Sequence, residues 1–226
     1  MIRNRGATMR YYSHLLLHLF VVMFVFGLNA KAVACPAVEC EEDAATIGVG
    51  DYAPDFVLPN AYNEPRKLSK LLERGPVVLS FYRGGWCPIC NEQLQAYQEH
   101  LETFKKHSAA LVAVSPEKPE NANDTSVRNS LKFEVLSDYG NNIARMYDLI
   151  WRIPEDQHAG FNEWMKNKYN KTLAEFNGLE SYELPIPATF VIGRDGKIAY
   201  MFRDENYKNR APLEEIFKAL EGLEEQ

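Results

Sequence analysis

Val77-Val78-Leu79-Ser80-Phe81-Tyr82-Arg83-Gly84-Gly85-Trp86-Cys87-Pro88-Ile89-Cys90 is an apolar run that ends in a glycine turn and two thiols. Beyond it, Leu94, Tyr97, Leu101 and Phe104 recur at helical spacing, so the thiols stand where a buried strand hands over to a helix. Unpaired N–H groups and the positive end of the peptide dipoles gather at a helix N-terminus, and both favour thiolate over thiol. Pro88 suits the first helical position, where a missing N–H costs nothing, and this puts Cys87 at the N-cap and Cys90 one turn along. Two thiols so placed are near enough to join, and attack, mixed disulfide and resolution all fit within one motif.

Working outward, strand and helix patterns alternate. Val77 to Tyr82, Ala109 to Ser115 and Phe133 to Leu136 read as strands; Asn91 to His107, Thr125 to Leu131 and Asn142 to Leu149 read as helices. Helices between strands imply a parallel or mixed sheet, an α/β fold in which each crossover buries an apolar stripe on the sheet. Thr189 to Ile192 and Lys197 to Phe202 flank Arg194-Asp195-Gly196, a hairpin signal. A last helix carries Leu213, Ile216, Phe217 and Leu220 on one face. Between Ile150 and Leu184 lies a stretch rich in aromatics with no strand pattern, read as a helical insertion over the active-site end, at a dimer contact, or as a satellite cluster under a long connection.

The chain has 226 residues, 46% of them apolar, enough for one domain with added segments. Residues 1–34 read as a signal peptide: Arg3, Arg5 and Arg10 precede the apolar stretch from Leu15 to Leu28, and Ala30-Lys31-Ala32 supplies a cleavage pattern. That stretch falls short of the roughly 20 residues a membrane span needs. The expected destination is export, periplasmic or secreted, with membrane anchoring only if the leader stays on. Cleavage removes four basic groups and no acidic ones, taking the formal charge from −6 to −10, a balance that argues against nucleic-acid partners. Residues 35–49 read as an acidic leader, and residues 50–226 as the domain. The four cysteines form two close pairs, Cys35 with Cys40 and Cys87 with Cys90. Export permits disulfides.

Gly50-Asp51-Tyr52-Ala53-Pro54-Asp55-Phe56, the strand-to-helix motif from Leu79 to Cys90, and Ile186-Pro187-Ala188-Thr189-Phe190-Val191-Ile192 with Asp195-Gly196-Lys197-Ile198 together resemble the AhpC/TSA peroxiredoxin-like branch of the thioredoxin superfamily. The resemblance implies a thioredoxin-like fold, a mixed central sheet flanked by helices, with the insertion before the late hairpin. It implies that Pro187, in cis geometry, faces the two cysteines. It further implies reduction of hydrogen or alkyl peroxides, with an external thiol donor such as thioredoxin restoring the pair and no organic cofactor. Two registers are open. Laid on F-Y-P-x-x-x-T-x-x-C, the sequence puts peroxide attack at Cys90, with Cys87 and Arg83 in place of the threonine and proline; laid on W-C-x-x-C, it puts the nucleophile at Cys87 and the resolving thiol at Cys90.

Cys90 shares a face with Leu94 and Leu101 and points to the core, which leaves Cys87 the more exposed. The arginine that peroxiredoxins carry before the late strand is absent at Ile186-Pro187-Ala188, and Arg83 is the candidate substitute cation. Trp86 is read as a shield over the thiols, and Tyr82 and Thr189 as supporting hydrogen-bonding groups. Two other classes remain. One is a thioredoxin-like thiol-disulfide oxidoreductase acting on protein disulfides; the other is a metal-binding module joining the two cysteine pairs. His100, His107 and His158 lack the spacing of a metal cluster, and the oligomeric state is not encoded in any motif.

Overall fold

The computed structural model describes residues 47–178 and 180–224. The signal-peptide reading of residues 1–34 and the Cys35/Cys40 pair lie outside the described residues.

A short antiparallel ribbon, β1 (Val57–Pro59) with β2 (Pro65–Lys67), leads into α1 (Leu68–Leu72). The main sheet contains β3 (Val77–Phe81), β4 (Ala110–Ser115), β5 (Glu134–Ser137), β8 (Ala188–Ile192) and β9 (Ile198–Arg203), in the order β5-β4-β3-β8-β9. The first three run parallel, β8 lies antiparallel to β3, and β9 returns antiparallel beside it. The sheet is therefore mixed. Every residue of β3 and β8 is buried, as strands covered on both faces must be. Val77, Leu79 and Phe81 pack with Tyr147, Leu149 and Phe190 on one face. Val78 packs on the other with Tyr97, Phe104, Ile216 and Leu220, from α2 (Pro88–Glu99), α3 (Leu101–Lys106) and α8 (Leu213–Glu224).

Three expectations require correction. The helix read over Asn91 to His107 is divided at His100, whose backbone leaves helical geometry and whose Nδ1 bonds the Ala96 carbonyl at 2.9 Å, in competition with the backbone N–H that bonds the same oxygen at 3.2 Å. The helix read over Thr125 to Leu131 instead spans Pro119–Arg128 (α4), with Pro119 at its first turn and Ser130 in left-handed conformation just past its end. The stretch after α5 (Asn142–Met146) does contain strands: β6 (Ile150–Arg152) pairs with β7 (Glu183–Pro185). Three-residue strands are too short to display a period of two, so no pattern announced them.

Between β6 and β7 the insertion is helical, with a 3₁₀ turn (Glu155–Gln157), α6 (His158–Tyr169) and α7 (Leu173–Asn177). Thr172 caps α7 and shares a reciprocal capping box with Glu175. Met165, Leu173, Phe176 and Leu184 form one buried cluster with Trp86, Cys87, Cys90 and Leu94. Of the open readings, packing over the thiol end is therefore the one observed. Among the described residues no helix is long and apolar enough to cross a membrane.

Candidate active site

β3 carries the chain to the carboxyl end of the sheet, where Tyr82 N–H donates to Val114 O at 2.9 Å and a sharp turn begins. Gly84 has φ +136°, a value that side chains rarely adopt. Gly85 is needed for space, since a Cβ there would lie 1.8 Å from Thr125 Oγ1 and 2.9 Å from Arg128 Nη2. Its N–H donates to Glu117 Oε2 at 2.9 Å, and its carbonyl accepts from Asn91 Nδ2 at 2.8 Å and Arg128 Nη2 at 3.1 Å. Gly85→Ala is expected to destabilise the fold by about 2–3 kcal/mol through overpacking. Gly160→Ala, inside α6 with open space around the new methyl group, should instead stabilise by up to about 1 kcal/mol through helix propensity. Chemical denaturation of the two variants tests the contrast; equal stabilities would contradict it.

The turn delivers Cys87 to the N-cap of α2 in extended conformation, with Pro88 at the first helical position. Both thiols are free, and neither is exposed: Cys87 is 2% and Cys90 0% accessible. Cys87 is the more accessible of the two, as its place at the helix start implies, though only slightly. Trp86 covers the site, and the insertion covers Trp86, with Phe161 and Trp164 meeting its ring edge-on at 5.7 and 6.1 Å and Tyr169 Oη donating to its carbonyl. A cavity of about 360 Å³ still reaches Cys87, lined also by Arg83, Trp86, Pro88, Ile89, Phe161, Trp164 and Tyr207. Cys90 is not part of that lining.

The two sulfurs are held in opposite protonation states. Cys87 is lowered from the ordinary thiol value to about 6, chiefly by the hydrogen bond from the Cys90 thiol, against the cost of burial. Its sulfur makes no full capping bond, but the Cys90 N–H, Arg83 and Arg210 pull in the same direction. Cys90 is pushed well up by burial and by its bond to Cys87. Arg83 is no solvent-facing loop charge. It is 7% exposed, and its guanidinium carbon lies 4.3 Å from the Tyr207 ring, 5.2 Å from Trp86 and 5.8 Å from Trp151.

Pro187 lines an adjoining cavity of about 300 Å³, whose wall shares Arg83 and Tyr207 with the first. Thr189 is buried and spends its hydroxyl on Tyr97 Oη at 3.0 Å and Ser80 Oγ at 3.4 Å, so it ties α2 to the sheet. Among the described residues no three His, Cys, Asp or Glu side chains converge as a metal site.

The fold brings in three groups that motif reading did not single out. Glu117, fully buried in the Ser115-Pro116-Glu117 turn, accepts from Gly85 N–H, from Ser115 Oγ at 3.3 Å and from Tyr82 Oη at 3.5 Å. Burial raises its carboxyl to about 7, although Gly85, Ser115, Arg128 and Tyr82 all favour the anion. Asn91 donates to the carbonyls of Gly85 and Cys87, at 2.8 and 3.1 Å. Arg210 Nη2 donates to Cys90 Sγ at 3.4 Å. For Glu117 a signal did exist, because loops at the carboxyl ends of parallel strands gather functional groups.

The AhpC/TSA family model matches residues 49–201, well over half of the chain. The chain belongs to the AhpC/TSA family. This AhpC/TSA protein is 25% identical over 197 residues to the chloroplastic peroxiredoxin Q of Sedum lineare, covering 86% of this chain and 90% of that one. It is 25% identical over 181 residues to peroxiredoxin Bcp of Bacillus subtilis (strain 168), covering 80% and 99%. Among solved structures it resembles peroxidoxin BcpB from Mycobacterium tuberculosis, with a TM-score of 0.61 and 23% identity over 78% of this chain and 98% of the other. Xylella fastidiosa PrxQ superposes with a TM-score of 0.58 at 16% identity, covering 79% and 96%. These likenesses agree with the thioredoxin-like α/β architecture of the mixed sheet.

Proposed function

We propose that Cys87 is the sulfur that attacks peroxide and Cys90 the sulfur that resolves it. The chain is a thiol-dependent peroxidase of the AhpC/TSA family. One observation carries the assignment: Cys87 meets the cavity and is held toward thiolate by a donated hydrogen bond and two arginines, while Cys90 is sealed and protonated. Of the two open registers, this favours W-C-x-x-C polarity.

In the first step the Cys87 thiolate attacks the terminal peroxide oxygen and the O–O bond breaks. The sulfur gives up two electrons and becomes a sulfenic acid; the departing alkoxide or hydroxide takes a proton and leaves as alcohol or water. Arg83, fixed between rings at the cavity wall, balances the negative charge. Cys90 sulfur then attacks Cys87 sulfur, the S–O bond breaks, and the hydroxide leaves with the proton Cys90 gives up. Two electrons from an external dithiol reopen the pair.

A thioredoxin-type donor suits the mouth of the site. Trp151, Trp164 and Tyr207 stand there 42%, 41% and 40% exposed, a rim of large rings that a folded partner would cover. The peroxiredoxin names of the relatives support a peroxide substrate, and the charged leader followed by an apolar stretch supports export.

A second reading rests on the same polarity, since a low first thiol and a sealed second one also suit reduction of protein disulfides. Thioredoxin, thioredoxin reductase and NADPH supplied together separate the two. The expected result is NADPH oxidation dependent on hydrogen peroxide or cumene hydroperoxide, at least tenfold above the rate without the protein. Rapid reduction of insulin disulfides by the reduced protein with no peroxide-dependent turnover would overturn the peroxidase reading.

A further inference from the structure

The segment 204–212 between β9 and α8 lies beyond the stretch that the family model matches, yet it reaches both thiols. Asp204 folds it, accepting from the Asn206 N–H at 2.8 Å and from Asn209 Nδ2 at 2.7 Å. Tyr207 then lays its ring over the Arg83 guanidinium, 4.3 Å away. Three residues on, Arg210 turns inward. Its Nη1 donates to the Asn209 carbonyl at 2.7 Å and to the Tyr207 carbonyl, and its Nη2 donates to Cys90 Sγ at 3.4 Å. Its Nε is buried without a hydrogen-bond partner. A guanidinium held by two carbonyls of its own loop against a fully buried sulfur is a fixed charge, and it needs no rearrangement to meet an anion there.

We propose that Arg210 is a catalytic residue of the disulfide-forming step, stabilising the negative charge that builds on Cys90 Sγ as this sulfur attacks the sulfenic acid at Cys87. The inference rests on the assignment of Cys87 as the attacking sulfur. In the reduced protein the charge on Cys87 keeps Cys90 protonated, with its proton shared toward Cys87. Oxidation turns Cys87 into a neutral sulfenic acid and removes that repulsion, while Arg210 remains. Cys90 therefore becomes a nucleophile only after Cys87 has reacted. Its proton leaves with the displaced hydroxide as water, and one S–S bond replaces one S–O bond and one S–H bond. When an external dithiol attacks Cys87 sulfur, Cys90 departs as thiolate toward the same guanidinium.

Arg210→Met and Arg210→Lys, followed by stopped-flow tryptophan fluorescence after mixing with hydrogen peroxide, test this. The first phase, proportional to peroxide, reports attack; the second, independent of peroxide, reports closure. Expected for Arg210→Met is closure slowed at least tenfold at pH 7 with its pH profile displaced to the alkaline side, and more Cys87 sulfinate by mass spectrometry. Attack should slow less than threefold, because Arg210 is the smallest of the influences that favour the Cys87 thiolate and the Cys90 hydrogen bond and Arg83 remain. Arg210→Lys should recover part of the closure rate, and it serves as the test if the methionine variant does not fold. Closure unchanged in a folded variant would overturn the role of Arg210 and leave Cys87 as attacker. A peroxide-proportional phase slowed tenfold or more, with the closure phase that follows it unchanged in rate, would overturn the underlying assignment, since the guanidinium would then serve attack by Cys90.

Discussion

Cys87→Ser is expected to lose the fast reaction with peroxide altogether, by about 10³-fold or more, because serine supplies no thiolate at neutral pH. Cys90→Ser should keep one rapid turnover, ending as a stable sulfenic acid, and lose catalytic cycling with a dithiol donor. The contrast follows from the hydrogen bond between the two residues, which the serine hydroxyl can still donate and which a methyl group cannot. Hence Cys90→Ala should move the Cys87 titration upward toward the ordinary thiol value, while Cys90→Ser moves it less. In the unaltered protein the rate of the first step should rise through about pH 6 as the reactive thiolate forms and then level off. Trapping the sulfenic acid with dimedone and measuring single-turnover rates from pH 4.5 to 9 tests all four. Trapping at Cys90 in the Cys87→Ser protein would reverse the assignment.

Glu117 should make the fold less stable as pH rises. Its ordinary carboxyl value is 4.5, and burial raises it to about 7 in the folded chain. Below 4.5 both folded and unfolded forms hold the proton, and no difference arises. Between 4.5 and 7 the unfolded chain releases it and the folded chain does not, so unfolding gains; above 7 both are ionised and the loss is complete. The shift corresponds to about 3 kcal/mol over that window. Glu117→Gln keeps an acceptor for the Gly85 N–H and carries no charge, so its stability should lack this slope and exceed that of the unaltered protein at pH 8. Urea denaturation of both proteins at pH 5, 6, 7 and 8 gives the slopes. Parallel curves would show that the carboxylate is stabilised by more than the turn supplies.

Much of the scaffold was legible because local rules and the packed structure agree. Val77 to Phe81 is continuous and apolar because β3 is covered on both faces, and such a run has few other uses. Pro88 and the Leu94/Tyr97 spacing marked the start and inner face of α2, and Asp195-Gly196 marked the turn from β8 to β9. Failures came where the deciding interaction is small or distant. His100 divides its helix through one side-chain bond to a carbonyl, and β6 and β7 exist through pairing across the insertion rather than through any pattern of their own.

By itself the sequence determined that two thiols stand at the start of a helix behind a buried strand, since chain connectivity and the geometry of a helix end permit no other placement. It could not divide their labour, because both registers place a cysteine at the attacking position. Only the tertiary structure decided which sulfur meets a cavity and which is sealed, and which distant side chains attend them: Glu117 under the Gly85 turn, Tyr207 over Arg83 and Arg210 on Cys90. The reason is physical. The protonation of a buried group is set by desolvation and by charges a few ångströms away, and those neighbours are brought together by folding from positions as distant in the chain as Arg83 and Tyr207.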